Sequence, residues 1–381
     1  MPSNTLCSMT PNTSRRTTSQ TSGSVDPSTK LASLETRLSD AFTPNGHFLD
    51  TATIGLPPKI AIEKMDEVLK GWQEGTLYTP DFDVSVRNSL THFSELVGVE
   101  AVNCAIVPQV SITTAMVAGS LPEGSTVLLA EEDFTSVLFP FFVQGDLGRL
   151  KLRVVPLERL YESMTQEVDL VAVSAVQSAD GRVVDLEILS SLCEEHSIKS
   201  YLDLTQAAGW KQIPGYRFDV LAASAYKWLC SPRGTGFMAV SPSAQGWLKP
   251  FNAGWYAGTD PWTSIYGSPL RLSEQAWRYN VSPDWFGYYA AAPTLALLSE
   301  IGTEAIEAHN VHLANLLRSE LGIASSNSAI VSLKTDTPLE EFMAANIQTS
   351  VRAGKTRITF HLYNDASDVE VAAKVLARGV R

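Results

Sequence analysis

The chain has 381 residues, 44 % of them apolar and 18 % charged, enough to bury a substantial core in one large domain with a smaller one beside it. Its 29 basic and 41 acidic residues give a net charge of -12 with no long like-charge block, so neither nucleic acid nor a membrane is expected as a partner. The cysteines Cys7, Cys104, Cys193 and Cys230 lie far apart, no Cys/His pairing has zinc-site spacing, and no apolar run reaches the roughly 18 residues needed to span a bilayer. A reduced, cytoplasmic protein without a metal is the expectation.

Residues 1–30 are rich in Ser and Thr, carry only Arg15 and Arg16 as charges before Asp26, and lack the apolar centre of a secretory signal. They read as a disordered tail. A transit peptide has a similar composition but needs an amphipathic helix that the Thr, Ser and Pro content discourages. From His47 to Leu49 a short extended piece leads into Asp50-Thr51-Ala52-Thr53. Pro57-Pro58 then opens a helix with a predicted apolar face of Ile62, Met65, Leu69 and Trp72. A second amphipathic helix runs through Val86, Leu90, Phe93 and Val97 and stops at Gly98.

Apolar strand-like runs follow at 104–107, 127–130, 152–156, 170–176, 200–204, 220–223 and 236–240, separated by helical stretches or loops. This is the pattern of an α/β domain with a mostly parallel sheet, whose ligands sit at the carboxyl ends of the strands. An aromatic belt comes next: Trp247, Trp255, Tyr256, Trp262, Tyr266, Trp277, Tyr279, Trp285 and Phe286. The pattern then changes to helices near 284–300 and 303–321, a strand at 330–334, a helix near 338–345, a strand at 356–362 and a helix at 367–377. The expected division is a large α/β domain over 31–275 and a small α+β domain over 276–381.

Two residues in the large domain stand out chemically. Ser224-Ala225-Tyr226-Lys227 follows the apolar run 219–223, and a lysine just past a buried strand loses hydration, which lowers its pKa. Schiff-base lysines arise this way, although most lysines at strand ends simply reach solvent. Asp203 sits inside the apolar strand Tyr201-Leu202-Asp203-Leu204, where a carboxylate is unfavourable unless a cation or protonated nitrogen pairs with it. Capping the next turn is the alternative role.

Taken together, Asp203-x-x-Gln206 and Ser224-x-x-Lys227 resemble the pyridoxal 5′-phosphate site of the class V aminotransferase family. The resemblance implies the α/β, PLP-dependent transferase fold type I, with a mostly parallel central sheet flanked by helices and a smaller C-terminal α+β domain. It implies Lys227 as the catalytic lysine, Asp203 as the partner of the cofactor's pyridine nitrogen and Gln206 beside its ring hydroxyl. Gln109-Val110-Ser111-Ile112-Thr113 looks like the family's phosphate cup, with Ser111 and Val110 as contacts and Gln109 where the family usually has glycine. Asp133-Phe134-Thr135-Ser136 followed by Pro140 matches the segment that stacks an aromatic on the ring, here Phe134. The stretch 176–181 resembles the loop that approaches the ring hydroxyl, with Gln177 and Ser178 as candidates. Ser224 and Tyr226 fall where relatives place phosphate ligands. Arg357, in a segment similar to the family's C-terminal Arg-x-Ser…Tyr-Asn-Thr, would fork onto the substrate α-carboxylate. Gly234-Thr235-Gly236 formally starts a dinucleotide fingerprint, but it leads into a strand and is rejected.

Cysteine desulfurases of this family need a cysteine shortly before the carboxylate arginine, and no cysteine follows Cys230. The segments 226–236 and 252–267 instead resemble the hercynylcysteine sulfoxide lyases of ergothioneine biosynthesis. That resemblance implies carbon–sulfur β-elimination to a thiol, pyruvate and ammonia, with Lys227 taking the Cα proton. It also makes Trp255 and Tyr256 candidates for binding a trimethylammonium through cation–π attraction, against the alternative that they are core or interface aromatics. An aminotransferase or epimerase on a small amino acid would use the same lysine, aspartate and arginine, and a non-catalytic cofactor-binding protein is the alternative of a different class. Relatives are homodimers with shared active sites, so a homodimer acting on a small amino acid is expected.

Overall fold

The computed structural model describes residues 40–377, so the N-terminal tail and Cys7 lie outside the described residues. Its first strand, β1 (His47–Phe48), is followed by the helix Lys59–Glu74 and the helix Phe82–Val97. Seven strands then form the central sheet: β2 (Cys104–Ile106), β3 (Thr126–Ala130), β4 (Lys151–Val155), β5 (Leu170–Ser174), β6 (Lys199–Asp203), β7 (Val220–Ser224) and β8 (Gly236–Val240). Their order is β2-β8-β7-β6-β5-β3-β4. The five strands from β4 to β7 in that order run parallel, and β8 pairs antiparallel with both β7 and β2.

A sheet covered on both faces needs apolar side chains in both directions, which is why β5, β7 and β8 are buried along their whole length. Successive residues serve opposite cores. Leu128, Val171, Leu202, Leu221 and Phe237 pack with Val86, Leu90 and Phe93 on one side. Val127, Leu129, Ala172, Val220 and Met238 pack on the other with the helices Val110–Ser120 and Thr135–Asp146. The parallel strands therefore deliver three polar ends together: β5 stops at Ser174, β6 at Asp203 and β7 at Ser224.

The helix Phe82–Val97 buries Val86, Leu90, Phe93 and Val97 and ends on Gly98 in the left-handed region, as its periodicity predicts. The helix Lys59–Glu74 forms where expected, but its buried face is displaced from the predicted stripe, of which Met65 is half-buried and Trp72 meets Phe286 edge-on. It packs on the helix Trp285–Ile301 through the small side of Ala61 and Val68, leaving Ile62, Leu69 and Trp72 exposed at 50 %, 44 % and 66 %. Small residues at the contact let the two helices approach closely, which leaves Ile62 and Leu69 outside it.

After the helix Thr303–Glu320, the smaller α+β unit contains β9 (Ile330–Leu333), β10 (Ile347–Gln348), β11 (Ser350–Arg352) and β12 (Lys355–Thr359). A three-stranded antiparallel sheet, β11-β12-β9, packs its Val331, Ile358 and neighbouring Phe360 on Leu313, Leu317 and Val369. The last helix, Ala366–Leu376, starts at a capping box made by Asp365 and Asp368. β1 pairs in parallel with β10, which carries Leu49 into this second core. Among the described residues no helix is long and apolar enough to cross a membrane.

Candidate active site

The ends of β5, β6 and β7 open into a cavity of about 380 Å³, within the range of roughly 300–1,000 Å³ typical of small-molecule sites. Of the residues singled out in the sequence, Val110, Phe134, Ser178, Asp203, Gln206, Ser224, Tyr226 and Lys227 all contribute to its wall. Ser174, Thr205 and Arg233 join them without having been expected.

Lys227 is placed by its backbone. The Tyr226 carbonyl accepts from Gly55 N at 2.9 Å, and the Lys227 carbonyl accepts from Cys230 N at 3.1 Å. The N-terminal segment approaches so closely that a Cβ on Gly55 would stand 1.9 Å from the Lys227 carbonyl oxygen. Gly55→Ala is therefore expected to lower stability by about 3 kcal/mol and to displace Lys227, losing activity beyond the unfolded fraction. Urea melts alongside kcat on the folded protein check this, and wild-type values in both would refute it.

The Lys227 ammonium carbon chain is buried, and Nζ lies 5.3 Å from the Phe134 ring centre and 5.8 Å from that of Tyr226. It forms no ion pair or hydrogen bond among the described residues. Burial pulls its pKa down to about 8; Asp203 opposes this, while Arg357, Arg352 and Arg233 reinforce it. A folded pKa below the unfolded 10.5 means a contribution present above that pH and lost as pH falls through 8. The apoprotein of Lys227→Met is accordingly expected to exceed wild type by about 3 kcal/mol at pH 7, with the gap narrowing toward pH 10. Urea denaturation across that range measures it; a pH-independent gap would show that charge is not the cause.

Asp203 accepts from Thr205 N at 2.8 Å, and burial pushes its pKa up to about 6 against that hydrogen bond. The Gln206 amide is held at both ends: Nε2 donates to the Ala52 carbonyl and to Ser178 Oγ, each at 3.0 Å, and Oε1 accepts from Trp228 Nε1 at 2.8 Å. At another part of the wall the helix Val110–Ser120 begins with no side-chain cap, leaving first-turn N–H groups for an anion. Ser111 sits one residue along this turn and is not part of the wall. A buried amine, a buried carboxylate and an uncapped helix start within one cavity fit the aldehyde, the pyridine nitrogen and the phosphate of pyridoxal 5′-phosphate.

Asp133 is a supporting residue that the sequence did not mark. It is buried, and it accepts from Ser174 N at 2.6 Å, Ser174 Oγ at 2.5 Å, Phe134 N at 2.6 Å and Gln177 Nε2 at 3.3 Å. It thus fixes the end of β5 and the backbone of Phe134, and Gln177 serves as its buttress rather than as a wall residue. The only sequence signal was a carboxylate beside the stacking candidate.

Arg357 is almost fully buried next to the cavity. Nη1 donates to the Ser178 carbonyl at 2.7 Å, Nη2 to Thr53 Oγ1 at 2.7 Å, and Asp50 lies 3.6 Å away. Nε has no partner among the described residues, and burial draws the pKa down to about 10 against the pull of Asp50. Trp255 and Tyr256, in contrast, are not brought to the cavity. Tyr256 is core: its hydroxyl donates to Asp83 at 2.8 Å, the carboxylate that also accepts from Trp262 Nε1 at 2.7 Å. Trp255 packs on Tyr256 and Trp262. The belt ties loops to the helix Phe82–Val97, which sequence spacing could not distinguish from a substrate cage. Cys104, Cys193 and Cys230 are buried, none lines the cavity, and burial raises the Cys104 and Cys193 thiols to about 12.

Residues 111–353 match the aminotransferase class-V family. The uncharacterized aminotransferase YcbU of Bacillus subtilis is 28 % identical over 225 residues, 57 % of this chain and 60 % of that protein, so the match spans less than two thirds of this relative. Isopenicillin N epimerase of Streptomyces clavuligerus is 25 % identical over 291 residues, 69 % of each chain. Among solved structures, the complex of the cystine C-S lyase C-DES with cysteine persulfide gives a TM-score of 0.79 at 18 % identity, covering 88 % of this chain and 98 % of that one. The apo cysteine desulfurase of Thermococcus onnurineus NA1 gives 0.75 at 19 %, covering 87 % and 94 %. These structures share the fold, fold type I. The chain belongs to the aminotransferase class-V family, and its cofactor is pyridoxal 5′-phosphate.

Proposed function

We propose that this enzyme is a carbon–sulfur β-lyase that cleaves a cysteine S-conjugate, hercynylcysteine sulfoxide, and so leads to ergothioneine with pyruvate and ammonia. The observation that carries the reading is the buried Lys227 amine, unpaired among the described residues, sharing a cavity with Asp203 and lying near Arg357. When bound, the cofactor supplies an electron sink for the bonds at Cα. Arg357 receives the substrate carboxylate and fixes the orientation of the Cα–H bond. Lys227, its pKa drawn down by burial to about 8, takes the Cα proton as general base. Asp203 holds a proton on the ring nitrogen by charge pairing in a buried setting. Loss of the sulfur substituent from Cβ then yields pyruvate and ammonia after hydrolysis. From a sulfoxide the released group is a sulfenic acid, which two electrons from a thiol reductant convert to the thiol.

The choice of lyase over desulfurase is supported by the lack of a thiol in the cavity wall among the described residues. The substrate itself rests on the sequence resemblance over 226–236 and 252–267. The likeness to isopenicillin N epimerase and to YcbU favours the second reading, epimerisation or transamination of a small amino acid. We also propose a cytoplasmic homodimer, supported by the buried free cysteines and by the outward stripe of Ile62, Leu69 and Trp72. Incubation with hercynylcysteine sulfoxide and dithiothreitol, without a keto acid, is expected to give equimolar pyruvate and ergothioneine. A requirement for a keto-acid acceptor would replace the lyase by an aminotransferase. Cofactor absorbance that no amino acid perturbs would indicate a non-catalytic protein.

A further inference from the structure

Thr53 Oγ1 is where two guanidinium groups meet: it accepts from Arg357 Nη2 at 2.7 Å and from Arg352 Nη2 at 3.1 Å. Both arginines belong to the β11–β12 hairpin. Arg357 pairs with Ser350 across the strands, and Arg352, two residues further along β11, stands on the same face as its diagonal neighbour. The turn between Arg352 and Lys355 is two residues long, with Ala353 at φ 48° and Gly354 at φ 72°. Positive φ at both turn positions matches the tight hairpin turn that follows strand twist, and an alanine in the first position is a strained choice. The hairpin thus spends conformational strain on a short, stiff link that holds Arg352 beside Arg357.

Arg352 is exposed, donates otherwise only to the neighbouring Val351 carbonyl, and forms no ion pair among the described residues. Asp50 offsets the charge of Arg357 alone. Two cations converging on one neutral hydroxyl repel each other, and Arg352 accordingly lowers the pKa of Arg357 as well as that of Lys227. An acceptor with two oxygens and a negative charge satisfies this arrangement better than a hydroxyl does.

We propose that Arg352 and Arg357 together form the seat of the substrate α-carboxylate, with the Thr53 hydroxyl that bridges them donating to one carboxylate oxygen. The proposal rests on the reading above that Arg357 receives the carboxylate of an amino acid. It adds a specificity-determining residue from outside the buried wall, one that selects a free acid over a neutral amide.

The test uses holoenzyme, hercynylcysteine sulfoxide and its cysteinyl carboxamide, with apparent Kd read from the cofactor's visible absorbance. Losing a charged hydrogen bond at an exposed position, Arg352→Gln is expected to weaken the acid about tenfold while leaving kcat within about threefold. The carboxamide is expected to bind both proteins alike, and Arg352→Lys to recover part of the loss. Equal acid binding by Arg352→Gln and wild type, or equal weakening of acid and carboxamide, would overturn the seat while leaving the lyase reading intact. A wild-type holoenzyme indifferent to hercynylcysteine sulfoxide would overturn both.

Discussion

Lys227→Ala is expected to lower kcat by about 10⁴-fold, the upper end of what a positioned general base contributes, and to abolish the borohydride-fixed link between cofactor and chain. Nothing nearby can replace it. Arg233, the other cation among the wall residues, carries a guanidinium that offers donors and no acceptor, so it is no substitute for an amine base. The amine owes its reactivity to burial, which brings it to about 8, so a lysine restored elsewhere in the cavity would not regain the rate. Single-turnover assays and borohydride reduction followed by peptide mapping measure the two effects. A variant that keeps either the rate or the fixed link would remove Lys227 from the role given to it.

Asp203→Asn separates charge from shape. The amide preserves the acceptor for Thr205 N, so the end of β6 keeps its form. Breaking one partner of a buried charge pair costs about 3–5 kcal/mol, and kcat/KM is expected to fall by roughly 10²–10⁴-fold. Stability should move the opposite way. The folded pKa of about 6 lies above the unfolded 3.8, so this carboxyl stabilises fully below pH 3.8 and its contribution is lost as pH rises through 6. At pH 7 the variant apoprotein is expected to exceed wild type by about 3 kcal/mol. Kinetics and urea melts on the same preparations decide it: activity within tenfold of wild type would mean that Asp203 does not hold charge on the ring.

The seven strands of the central sheet, and β9, β12 and the helices of the smaller unit, were legible because each carries an apolar period bounded by Gly, Pro or a cap, whereas β10 and β11, two and three residues long, are too short to show a period and were not expected. The buried Lys227 and Asp203 of the cavity wall were legible as candidates for a related reason: a charged residue inside or just past such a run stands out against it. What spacing could not reveal was which face meets which neighbour. Ile62, Leu69 and Trp72 satisfy a helical stripe, yet Ala61 and Val68 make the buried contact. Tyr256 and Trp255 look like a cage, yet an aspartate 173 residues away from Tyr256, Asp83, claims the tyrosine hydroxyl. Thr53 and Arg352 carry no local pattern at all, because their meaning depends on a partner brought from the far end of the chain.

The N-terminal segment that pairs β1 with β10 and rests Gly55 on Lys227 also bears on how the protein is made. Thr53 and Arg357 meet across 304 residues of sequence, whereas Asp203 and Lys227 lie on neighbouring elements of one sheet. On a ribosome the sheet emerges well before the hairpin that completes the other side of the site. The contact between Thr53 and the hairpin therefore closes a loop of 304 residues and forms only after the sheet that carries Asp203 and Lys227 has been synthesised.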